Sequence, residues 1–216
     1  MPHTAATEEL VIIEAGGGAR PPFRDGGDGG DSSSHSRSGM PQRMYVTGIT
    51  VAMAGILMFF MAFVSAFIVR KGVGSDWHAF PLPRILWLNT FILLASSATI
   101  VRARQFFGRG DREGFRHWWM VTSILGLLFL AGQLIAWRQM VASGFYLATN
   151  ASSSFFYVLT AAHGLHLLGG ILALLYVGRG KLTHLTLATA TEVASLYWHF
   201  MDGLWIFLFL LLWLGR

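Results

Sequence analysis

The chain has 216 residues, of which 54% are hydrophobic and only 12% charged, about half the charge of an average soluble domain. Its formal charge is +5, with 16 basic against 11 acidic residues, but the basic residues are scattered over several loops, which argues against a nucleic-acid surface. Cysteine is absent, excluding disulfides, zinc–cysteine sites and iron–sulfur clusters.

Residues 1–44 read as a disordered Gly/Ser-rich tail. Runs such as Gly16-Gly17-Gly18, Gly26-Gly27-Asp28-Gly29-Gly30 and Ser32-Ser33-Ser34 bury too little apolar surface to offset their ordering entropy. The apolar run Leu10 to Ile13 is too short for a secretory h-region and follows Glu8 and Glu9. From residue 45 to 216 long apolar runs alternate with short polar loops. The spans run about 45–69, 85–101, 118–137, 155–177 and 187–214, each long enough to cross a bilayer as a helix. None shows the two-residue alternation of an outer-membrane barrel. The fold class is therefore all-α, a polytopic bundle of five transmembrane helices. Trp77, Trp87, Trp118, Trp119, Trp137 and Trp213 fall near span ends, as an interfacial belt does.

The loops give an orientation. One side holds Arg20, Arg24, Arg37, Arg43, Arg102, Arg104, Arg109, Arg112, Arg116, Arg179 and Lys181. The other has Arg70, Lys71, Arg84, Arg138 and Arg216. The positive-inside rule puts the first side, with the N-terminus, in the cytoplasm and the C-terminus outside.

Chemistry inside such a bundle rests on polar groups within the spans, because burying an ionisable group in hydrocarbon is costly. Spans one to three contain almost none, Gln133 being the main exception. Span four carries His163 and His166 beside Gly164, Gly169 and Gly170. Span five carries Glu192, Ser195, His199 and Asp202, which fall within a sector of about 80° at 100° per residue. Two polar stripes predict an intramembrane network of His163, His166, Glu192, His199 and Asp202. Three uses of it stay open: a metal site of two histidines and a carboxylate, haem ligation by histidines on facing helices, or mutual satisfaction of groups that simply hold the helices together.

The last span contains Tyr197-Trp198-His199-Phe200-Met201-Asp202-Gly203-Leu204-Trp205, preceded by Glu192. This resembles the final-helix signature of subunit III of the haem–copper oxidases. Ser154-Phe155-Phe156 and His163-Gly164-Leu165-His166 are similar to that family's histidine-glycine-x-histidine helix, and Gly132-Gln133 with Trp137-Arg138-Gln139 matches in outline. The resemblance covers residues 45 to 214 and points to the short five-helix bacterial form. Tyr197, Trp198, Phe200 and Trp205 are the family-signature positions.

What the resemblance implies is a non-catalytic accessory subunit of a respiratory terminal oxidase, which reduces oxygen and pumps protons. It would lie in the bacterial inner (cytoplasmic) membrane as a multi-pass protein. It would stabilise catalytic subunit I by direct contact, assemble with subunit II and the smaller subunits, support proton uptake and bind structural phospholipid. No catalytic, metal or cofactor-binding residue is expected in this chain; haem and copper belong to partner subunits. Arg179 and Lys181 are candidate lipid-headgroup contacts. The small and aromatic residues Gly48, Ala52, Ala54, Gly55, Phe59, Phe60 and Phe63 are candidates for packing against subunit I. The sequence departs from the family at Ile56 and Ala136, where the family commonly has carboxylates. The alternatives are the related accessory subunit of a nitric oxide reductase and a free-standing membrane haem or metal enzyme.

Overall fold

A computed structural model describes residues 42–73, 82–145, 151–179 and 184–215; the tail expected over 1–44 lies almost wholly outside the described residues. Within them the chain forms five helices and no strand: α1 Gln42–Val73, α2 Ile85–Gly108, α3 Arg112–Ala142, α4 Ala151–Gly178 and α5 His184–Gly215. All five are long and apolar enough to cross a membrane. Each helix outruns the apolar stretch that predicts it. Hydropathy marks where hydrocarbon ends, whereas the backbone goes on satisfying its own hydrogen bonds beyond that point. At the end of α2, for example, Arg102 continues the helix and lays its guanidinium over the Trp118 ring at 5.2 Å.

The α2–α3 reversal is built locally. Gly110 takes a positive φ of 78°, and Asp111 caps α3 by accepting the Gly114 N–H at 2.9 Å. Gly144, at φ 82°, ends α3 in the same left-handed conformation. The tight α2–α3 turn makes those two helices antiparallel neighbours. Thr99 pairs with Thr122 across α2 and α3, and Ser97 with His199 and Thr90 with Trp205 across α2 and α5.

The packing is not sequential throughout. α2, α3, α4 and α5 close into a ring in which each touches the next and α5 returns to α2. α1 packs outside this ring, against α4 and α5, without reaching α2 or α3. It attaches by one narrow stripe, Phe60, Val64 and Phe67, at i, i+4 and i+7. At the end of this stripe, Lys71 Nζ donates to the Leu214 carbonyl at 3.4 Å, tying the ends of α1 and α5.

The core of the ring is aromatic. Trp119, Trp198, Trp205, Phe129 and Phe156 are fully buried. Small residues admit them: a Cβ on Gly126 would lie 2.7 Å from Trp198, and one on Gly170 would lie 2.9 Å from Tyr197. In lipid this close fit, rather than escape from water, is what holds helices together.

Two sequence expectations change here. Trp119 is not an interfacial anchor: it is buried, and its indole N–H donates to the Leu174 carbonyl at 2.8 Å. The early spans are also richer in interior polar groups than expected, with Asn89, Ser96, Thr122 and Ser123 all buried. Short hydroxyl side chains escape a hydropathy scan because they bond their own helix one turn back, as Thr122 does to Trp118 and Ser123 to Trp119. Trp77 lies outside the described residues.

Candidate functional site

The polar groups of the interior fall into two layers. In the first, Ser97 Oγ and His199 Nδ1 lie 2.8 Å apart, and one residue away Trp198 Nε1 donates to Ser96 Oγ at 3.0 Å. Both bonds join α2 to α5, so adjacent signature residues of one helix grip adjacent serines of the other. In the second layer Trp205 donates to Thr90 Oγ1 at 3.1 Å, and Trp137 donates to Thr160 Oγ1 at 3.0 Å. Those contacts join α2 to α5 and α3 to α4.

Of the five residues expected to form a network, the structure gives each a different environment. His163 is fully buried, with its ring 5.9 Å from Phe129 and 5.1 Å from Trp205. Neither of its nitrogens has a hydrogen-bond partner among the described residues. His166, three residues on, turns toward α1: its Nδ1 lies 2.8 Å from its own helix's Ala162 carbonyl, and Phe60 stacks on its ring edgewise at 5.7 Å. Asp202 is buried one turn after His199, with its carboxylate beside the Ser97 hydroxyl that also meets His199. Glu192 is half-buried two turns before His199. The link from α4 to α5 that the structure does contain uses a residue counted only as signature. Tyr197 donates its phenol to the His166 carbonyl at 2.9 Å.

The hydroxyl partners on α2, Thr90, Ser96 and Ser97, lie outside the two stripes that the sequence shows on spans four and five. Among the described residues no three His, Asp or Glu side chains gather where one metal ion could bind. The four signature residues divide in role. Trp198 and Trp205 are buried anchors, Tyr197 is the α4 clasp, and Phe200 lines an outward groove along the seam of α1 and α5.

That groove has a volume of about 360 Å³ and is bounded by Leu57, Met61, His199, Phe200, Gly203, Leu204 and Phe207. A second, larger groove of about 810 Å³ lies between α1 and α4, lined by Ala62, Ser65, Ala66, Val69 and Phe155, with Arg70 at its end. Arg179 is exposed just past α4, and Lys181 lies outside the described residues. On α1, Gly48, Ala52, Ala54, Gly55 and Phe59 stay exposed, Phe63 is half-buried, and Phe60 is used inside the chain. Ala136 is fully buried and Ile56 half-buried.

The family model for cytochrome c oxidase subunit III matches residues 24–215. The chain is 35% identical over 181 residues to the probable cytochrome c oxidase subunit 3 of Mycobacterium tuberculosis, covering 80% of this chain and 89% of that protein. It is 35% identical over 173 residues to the probable cytochrome c oxidase subunit 3 of Nocardia farcinica, covering 77% and 85%. It is 32% identical over 194 residues to the cytochrome c oxidase subunit 3 of Synechocystis, covering 84% and 79%. With five spanning helices and matches of this extent, the chain is a multi-pass membrane protein that belongs to the cytochrome c oxidase subunit III family, part of a respiratory oxidase complex.

Proposed function

We propose that this chain is the non-catalytic accessory subunit of a haem–copper terminal oxidase, seated in the bacterial cytoplasmic membrane with its N-terminus inside. It contacts the catalytic subunit I directly, holds structural phospholipid and sustains proton uptake during turnover. The haem and copper that reduce oxygen are carried by partner subunits.

The observation that carries this reading is how His163 is enclosed in the ring. His163 is shut between Phe129 and Trp205, and the neighbouring bonds of Trp198 and Trp205 tie helix to helix. A group so placed fixes a packing arrangement; a substrate would have to displace the aromatic core to reach it. Lipid binding draws support from the α1–α4 groove, whose small-residue wall suits an acyl chain and whose Arg70 end suits a phosphate. Arg179, exposed just past the other end of α4, and Lys181, two residues on in the sequence, support a second headgroup contact.

The test is isolation from native membranes through a tag on this chain. In mild detergent the reading expects co-purification of a haem-bearing subunit. After stripping of partners, the chain alone should show no haem absorption and no stoichiometric metal. A haem spectrum retained by the isolated chain would overturn it.

A further inference from the structure

The reversal between α2 and α3 carries five arginines, Arg102, Arg104, Arg109, Arg112 and Arg116, against two carboxylates, Asp111 and Glu113. Asp111 is already engaged, capping α3 through the Gly114 N–H at 2.9 Å. Two of the arginines rest on aromatic rings: Arg102 lies over Trp118 at 5.2 Å, and Arg109 over Phe106 at 5.8 Å. Phe106 is itself held in place, because it lies against Gly114, where a Cβ would come 2.5 Å from the ring. Both guanidiniums are exposed and both rings are half-buried. Among the described residues neither arginine has a carboxylate partner. A guanidinium stacked on a ring has its plane fixed while its N–H edge stays open, and that edge is what grips an oxyanion through two parallel bonds.

We propose that this face of the α2–α3 pair binds one anionic phospholipid, with its phosphate on the Arg102 guanidinium and an acyl chain along α2. The depth fits a headgroup: Trp118 stands where the apolar stretch of α3 begins, the level at which indoles anchor a span. Going from Arg102 into the bilayer, the same face of α2 carries Ala98, Ala95 and Phe91, at i−4, i−7 and i−11. Ala98 and Phe91 are exposed and Ala95 is half-buried, so two small residues make a shallow apolar track of about 16 Å that ends on a ring. Arg109 adds its charge farther out, toward the leaflet surface. An acidic protein segment would meet the two guanidiniums but leave the track below them uncovered; a lipid meets both. The inference rests on the lipid-holding part of the proposed function and gives it a site distinct from the α1–α4 groove and from Arg179.

The test places the full chain, with the subunits that co-purify, in phosphatidylcholine nanodiscs containing phosphatidylglycerol with a photoreactive acyl chain. Labelled positions are then mapped by peptide. In wild type, label should collect on residues 91–98, in excess over the same probe built with a choline head. Arg102→Lys keeps the charge but not the fork, and Trp118→Leu keeps the arginine but not the ring beneath it. Each should lower labelling of residues 91–98 by roughly threefold, the scale of a cation–π contact, and leave labelling along the α1–α4 groove unchanged. Labelling of residues 91–98 that ignores both substitutions, or that is equal for the two headgroups, overturns the site and leaves these arginines as topology determinants. A photoreactive residue in place of Ala98 that joins a protein rather than lipid overturns it as well. A wild-type chain that takes label nowhere overturns the lipid part of the proposed function too, whereas label in the α1–α4 groove alone removes only this site.

Discussion

Trp198 and Gly126 are fitted to each other: the Trp198 ring edge occupies the space a side chain at Gly126 would take, and its indole N–H reaches past α3 to Ser96 on α2. One residue pair thus joins three helices of the ring. Gly126→Ala should lower stability by about 1–3 kcal/mol, the usual cost of overpacking a filled core. Trp198→Phe in the same chain should return part of that loss, since the clashing ring edge is gone. Thermal denaturation in detergent, read by near-ultraviolet circular dichroism, measures both. Additive losses would show that the two sites do not couple.

His163 gives a second prediction. Both its nitrogens are buried without partners among the described residues, so it contributes shape rather than hydrogen bonds. His163→Phe preserves an aromatic ring between Phe129 and Trp205 and removes two unmet polar atoms, a change that is near neutral or stabilising. The amount of chain in the complex and the complex's visible spectrum should both stay as in wild type. Loss of a haem band on this substitution alone would restore the ligand reading.

These two residues also mark what could be read before the fold was known. Five spans, the signature of α5 and the interior position of His163 and Asp202 follow from hydropathy, spacing and the high cost of ionised groups in lipid. The closed ring does not follow, because apolar helices without a polar face carry no signal of which neighbour they meet. Ser96, Ser97 and Thr90 were missed for a related reason. A hydroxyl that can bond its own helix is tolerated anywhere in a span, so only the indoles and imidazole opposite reveal its use. His199 is half-buried on α5, and its partner is a serine of α2.

Orientation is directly measurable because the chain has no cysteine. Arg109 and Ser143 are exposed at the two reversals that bound α3. With a cytoplasmic N-terminus, a membrane-impermeant maleimide should label Ser143→Cys in intact cells and Arg109→Cys only after permeabilisation. The reverse pattern would invert the proposed topology.

For lipid, Arg179→Gln with Lys181→Gln should remove bound phosphatidylglycerol from the complex in native mass spectra, each basic group contributing on the order of 1 kcal/mol near an anionic leaflet. The labelling pattern at Arg109→Cys and Ser143→Cys should not change. Unaltered lipid would leave these residues as topology determinants alone.

The central claim is that this chain sustains oxygen reduction without performing it. Its most direct test is the time course of oxygen consumption by the purified complex with and without this chain, at equal haem and copper content. The account predicts a near-normal initial rate that decays faster when the chain is missing. Immediate and complete loss of oxygen reduction in a complex that keeps its haem and copper would contradict it.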